Sequence, residues 1–84
     1  MSTSDREIAD GVENVVSRLF SVGRSEVTSI TRELEPKWTS LMHVELFFAL
    51  EEQFNIRISE DEMAFAESAA DLIEVVRRSK IANQ

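Results

Sequence analysis

Eighty-four residues, with sixteen acidic side chains against nine basic ones and no cysteine, give a chain of formal charge −7, long enough for one modest core and too short to house a deep active-site cleft beside it. That charge disfavours nucleic acid and anionic membrane surfaces and favours basic protein patches, while the lack of cysteine removes disulfides, thiolate nucleophiles and zinc-thiolate sites. With no apolar run near spanning length and a polar opening, "MSTSDREIAD", the expectation is one cytoplasmic domain over residues 1–84, a carrier, adaptor or subunit rather than a free-standing enzyme, with flexible ends at about 1–4 and 80–84.

The first helix opens at "SDRE", where Ser4 can accept from the amide of Glu7 while the Glu7 side chain returns to the cap. Ile8, Val12, Val15, Val16 and Leu19 follow on one stripe. Gly11 weakens this helix by about 1 kcal/mol relative to alanine, and Gly23 is expected to supply its left-handed stop. From 24 to 38 no helical or alternating period holds, and Pro36 interrupts any helix running through it. A connection this long either packs through Val27, Ile30 and Leu34 or carries function.

A second helix starts at Thr39 or Ser40, either of which can cap it, and ends at Asn55. Ser59 and Glu62 form another capping-box pattern, with Ile58 and Met63 placed as a hydrophobic staple for a short third helix. The last helix begins near Ser68, carries Leu72, Ile73, Val75 and Val76, and closes on Arg77, Arg78 and Lys80, whose charges oppose the negative end of its dipole. The fold class is therefore all-α, a four-helix bundle with three longer helices, one short third helix and a long loop between the first two.

Advancing about 100° per residue along the second helix puts Leu46, Phe47, Leu50 and Phe54 on one side. Leu41, Val44 and Phe48 fall on an adjacent side among Glu45, Glu51 and Glu52. One amphipathic helix needs a single apolar stripe. The second stripe is either a docking surface rimmed by charge or a face covered by the preceding loop. Ser40, at its head, has three readings: a helix cap, a nucleophile using His43 three residues on, or a site that another enzyme modifies. No Gly-x-Ser-x-Gly elbow surrounds it, and His43 points toward the core stripe or its margin, so no catalytic residue is assigned and His43 is placed at the helix surface or boundary without a role. A helix N-terminus, with free amides and a positive dipole end, suits an attached phosphodiester.

The run "TSLMHVELFFALEEQFNIRISEDE" resembles the acyl carrier protein family, the phosphopantetheine-attachment domains. The family's serine-leucine pair, Val-Glu-Leu, Ala-Leu-Glu-Glu, Phe and Ile-x-Ile elements stand here as Ser40 and Leu41, Val44 to Leu46, Ala49 to Glu52, Phe54, Ile56 and Ile58. The acids Glu60, Asp61 and Glu62 follow. The resemblance implies that Ser40 receives a 4′-phosphopantetheine arm from coenzyme A by a phosphopantetheinyl transferase, with magnesium serving that enzyme and no metal site on this chain. It implies a thioester-linked acyl or aminoacyl cargo, a loading ligase and acyl-processing enzymes as partners, and a docking face made of Leu41, Val44, Glu45, Phe48, Glu51 and Glu52 for their basic patches. A monomer is the expected state.

Two departures mark a divergent member: Thr39 stands where the family has aspartate, and Pro36, Lys37 and Trp38 replace its Leu-Gly-x element. They point to a specialised biosynthetic pathway rather than housekeeping fatty acid synthesis. Trp38 either shields the arm or fills the loop. The alternative is a carrier-like domain that is not modified and serves as a helical interaction module or enzyme subunit.

Overall fold

A computed structural model describes residues 4–82. Helix α1, Asp5–Phe20, opens on the expected reciprocal box, the Ser4 hydroxyl accepting from the Glu7 amide at 3.2 Å while the Glu7 carboxylate returns to the cap. It ends differently from expectation. Ser21, with φ 56°, is the left-handed residue, and Gly23 lies in ordinary extended backbone at φ −68°. The reason is local: the Ser17 carbonyl gathers the amides of both Ser21 and Val22, and the Ser17 hydroxyl donates to the Val22 carbonyl at 2.6 Å. These bonds offset the roughly 1 to 2 kcal/mol that a non-glycine residue costs there.

The long connection is not bare loop. It contains a 3₁₀ helix, Arg24–Ser29, whose Val27 is fully buried, and Ile30 is buried just beyond it. Leu34, expected to pack with them, is 76% exposed. An antiparallel bridge between Thr31 and Ser68, with the Arg32 amide on the Glu67 carbonyl at 2.8 Å, turns the chain back at this point and leaves Leu34 outside. The Lys37 ammonium then donates to the Phe20 carbonyl at 2.9 Å, placing a cation on the negative end of α1.

Helix α2, Ser40–Phe54, ends at left-handed Asn55 as expected. Helix α3, Glu60–Phe65, is capped by the Ser59 hydroxyl on the Glu62 amide, one arm of the expected box. Helix α4 spans Ala69–Ala82, with the Ser68 hydroxyl accepting from the Asp71 amide and Lys80 in its last turn. The ends expected to be flexible fall largely outside the described residues; Ser4 caps α1, and residues 80–82 belong to α4.

The architecture is all-helical. Ile8, Val12, Val15, Val16 and Phe20 of α1 meet Leu46, Phe47 and Leu50 of α2 and Leu72, Val75 and Val76 of α4 in one core. Val27, Ile30, Trp38, Ile56 and Ile58 close it from the connections. Short α3 adds no buried side chain and touches the core through half-buried Met63. Among the described residues, no helix is long and apolar enough to cross a membrane.

Candidate functional site

The start of α2 is built by the segment before it. Thr39, extended at φ −80° and ψ 173°, is the cap: its Oγ1 accepts from the Met42 amide at 3.1 Å, and its carbonyl takes the His43 amide at 2.8 Å. Ser40 is therefore not the capping residue but the first helical one, and it is exposed. At that position the amides of Ser40 and Leu41 have no partner within the helix, and the positive end of the dipole lies beside the serine hydroxyl. The Lys37 ammonium, three residues before Ser40, is directed to the Phe20 carbonyl at the end of α1.

Beneath the serine sits a cluster that the sequence shows only in part. His43 is not on the surface; only 8% of it is exposed. The Trp38 indole Nε1–H donates to His43 Nδ1 at 2.9 Å, and His43 Nε2 lies 2.8 Å from the Met63 carbonyl oxygen. Indole can only donate, so Nδ1 must carry the lone pair and the proton must sit on Nε2, where it is donated to Met63. Burial lowers the His43 pKa below its ordinary 6.5, against the raising effect of the Met63 bond and with the Arg32 charge lowering it further. Ring contacts continue into the core: Trp38 lies tilted against Phe20 with centroids 5.6 Å apart, and His43 meets the edge of Phe47 at 5.0 Å. Trp38 fills the loop, at 4% exposure. Both imidazole nitrogens are engaged, so His43 has no lone pair with which to activate Ser40.

From Ser40 an apolar ridge runs along α2. Leu41 is 70% exposed, Val44 47% and Phe48 63%, so the loop does not cover them. Leu46, Phe47 and Leu50 on the other side are buried, and Phe54 is half-buried against the core. Glu45 and Glu52 stand in solvent beside the ridge, whereas Glu51 is half-buried and its Oε2 accepts from the Ile58 amide at 2.8 Å. The expected set is thus one exposed serine, three exposed apolar side chains and two free-standing carboxylates, with the third carboxylate partly committed to holding the α2–α3 loop.

No family model matches the chain. Over 81 residues it is 35% identical to the mitochondrial acyl carrier protein of Dictyostelium discoideum, an alignment that covers 96% of this chain and 68% of that protein. An exposed serine heading the second helix, on an all-helical chain similar to this relative along nearly its whole length, leads to one assignment: the chain belongs to the acyl carrier protein family.

Proposed function

We propose that this protein is a carrier without catalysis of its own, holding acyl or aminoacyl groups as thioesters on a 4′-phosphopantetheine arm attached to Ser40 and delivering them to partner enzymes of a specialised pathway. The observation that carries this reading is the junction of an exposed Ser40, at the positive end of α2, with the exposed ridge of Leu41, Val44 and Phe48. The residues fit the arm: the hydroxyl is open to solvent, and unpaired amides of the first turn favour a phosphodiester there. The arm supplies a thiol to a chain that has no cysteine. Glu45 and Glu52 steer a basic partner toward α2, the apolar ridge seats it, and the modest size of that ridge suits rapid release. Cytoplasmic residence is part of this reading, and cell fractionation decides it against the mitochondrial location of the relative.

Intact mass after incubation with coenzyme A and a broad-specificity phosphopantetheinyl transferase, against a Ser40→Ala control, tests it. The wild type gains the mass of the arm and the control gains none. No gain with any transferase, in a protein that remains folded, rejects the carrier role. Thr39 favours a second reading, an unmodified helical interaction module, since the acid that the family places before its serine is missing. Partner recovery and function in cells that survive Ser40→Ala establish that alternative.

A further inference from the structure

The bonds around His43 join three pieces of the molecule. Trp38 belongs to the connection and lies two residues before Ser40, His43 lies one turn into α2, and the Met63 carbonyl is in α3. Between Lys37 and Ser40, Trp38 alone places its side chain in the core; Lys37, Thr39 and Ser40 are exposed, the first held at its ammonium by the Phe20 carbonyl and the second capping α2. We propose that Trp38 and His43 are positioning residues for group transfer onto Ser40, their hydrogen bond fixing the segment that leads into the serine, and that a second proton on His43 releases this segment while α3 stays attached.

The asymmetry follows from the tautomer. Neutral His43 accepts at Nδ1 and donates at Nε2; imidazolium donates at both. A proton on Nδ1 therefore sets two donors against each other where Trp38 and His43 now stand 2.9 Å apart, and the indole must turn away. At Nε2 the same proton uptake makes a neutral bond charge-assisted, so the hold on Met63 tightens. Arg32, on the connection, is the charged side chain acting on the ring and disfavours the cation. The other neighbours, Trp38, Phe47 of α2 and the Met63 carbonyl, carry no charge; Glu62, which precedes Met63 in α3, has its carboxylate 3.4 Å from the Arg78 guanidinium of α4.

The positioning role rests on the reading of Ser40 as the attachment point. In that transfer the Ser40 Oγ–phosphorus bond forms and the pyrophosphate P–O bond of coenzyme A breaks. The product 3′,5′-ADP leaves with the electron pair, and the hydroxyl proton passes to a base of the transferase. A fixed approach to Ser40 lets the transferase bind the segment without first ordering it.

Trp38 is the only tryptophan in the chain, so its emission reports the bond directly and without any transferase. Lowering the pH from about 8, through and below the ordinary histidine range, as far as the far-ultraviolet dichroism stays constant, shifts and quenches wild-type emission; His43→Gln emission stays flat. Flat emission in folded wild-type protein overturns the proposal. Loading of Ser40 is then compared between wild type and Trp38→Phe, which keeps a ring and loses the N–H. At about pH 8 the wild type has the higher kcat/KM by about three- to ten-fold, the worth of one net hydrogen bond. The ratio shrinks as the pH falls through the range in which the emission changes, because wild type then loses the bond as well, and the transferase's own titration cancels in the ratio. A ratio that is constant with pH overturns the positioning role. Failure of Ser40 to load at any pH removes the carrier reading and the positioning role together, and leaves the emission titration to decide the proton-sensitive bond.

Discussion

Phe54 lies across the backbone of Gly11 so closely that a Cβ there would stand 3.0 Å from the ring's Cε1 and nearer still to Cζ. Glycine at this point of α1 is the surface on which the end of α2 rests. The local helix penalty read from the sequence is thus the counterpart of a close helix–helix approach.

Gly11→Ala therefore goes against the usual trend. A glycine-to-alanine change inside a helix normally stabilises by about 1 kcal/mol, but overpacking a filled contact costs about 1 to 3 kcal/mol. The expected result is a net loss of about 1 kcal/mol in urea unfolding. A gain in stability would show that Phe54 moves aside freely.

The two phenylalanines at 47 and 48 separate core from surface within one peptide unit. Phe47 is fully buried and Phe48 is 63% exposed. Phe47→Ala should lower stability by about 3 to 5 kcal/mol, and Phe48→Ala should stay within about 0.5 kcal/mol. Under the carrier reading, Phe48→Ala nevertheless slows cargo transfer to a partner enzyme. Melting curves and a transfer assay on the same two proteins give the answer; unimpaired transfer by Phe48→Ala would remove the ridge from the docking surface.

Among the three ridge glutamates, only Glu51 binds the backbone of the α2–α3 loop. Its replacement by alanine leaves the Ile58 amide short of an acceptor and should cost about 1 to 2 kcal/mol. Glu45→Ala and Glu52→Ala are expected to be nearly neutral for stability and, under the carrier reading, to slow association with a basic partner, an effect that shrinks as added salt screens exposed charge. Denaturation and stopped-flow association at two ionic strengths distinguish the two kinds of glutamate.

Most of the frame was legible because caps and periods are local. Ser4 with Glu7, Asn55, and the double face of α2 can all be read from neighbours within one or two turns. His43 was directed toward the core stripe or its margin but left at the surface or boundary, although the signal for burial was present: positions 43, 47, 50 and 54 share one helical stripe, and three of the four are plainly apolar. A histidine continuing that stripe is a buried one, and the tryptophan five residues earlier is a suitable donor. The 3₁₀ helix and the exposure of Leu34 were not legible, because the bridge from Thr31 to Ser68 that sets them joins residues far apart in sequence. Ser21 took the left-handed position through bonds of the Ser17 carbonyl and hydroxyl, which no composition rule favours over a glycine two residues on.

Thr39 already performs the capping that the family's aspartate can perform, so restoring the acid tests what else the acid does. Thr39→Asp retains an oxygen for the Met42 amide and puts a negative charge at the positive end of α2, an expected gain of about 0.3 to 1 kcal/mol. If the missing carboxylate limits modification, loading of Ser40 accelerates as well. A more stable protein that loads no faster would locate the departure's meaning in the partner rather than in the transferase step.

The pH dependence of stability follows from the sign of the His43 shift. Its folded pKa lies below the ordinary 6.5, so the unfolded chain binds the proton more readily. The contribution is fully present above about 6.5, diminishes as the pH falls below that value, and is gone once the pH passes the folded pKa. Glu74, lowered by its bond to Arg77, acts in the same direction but only around and below its ordinary 4.5, so the two windows are distinct. Urea midpoints measured from about pH 7.5 down to about pH 5.5 should therefore fall for wild type and stay level for His43→Gln. Parallel falls in the two proteins would mean that the titrating group lies elsewhere.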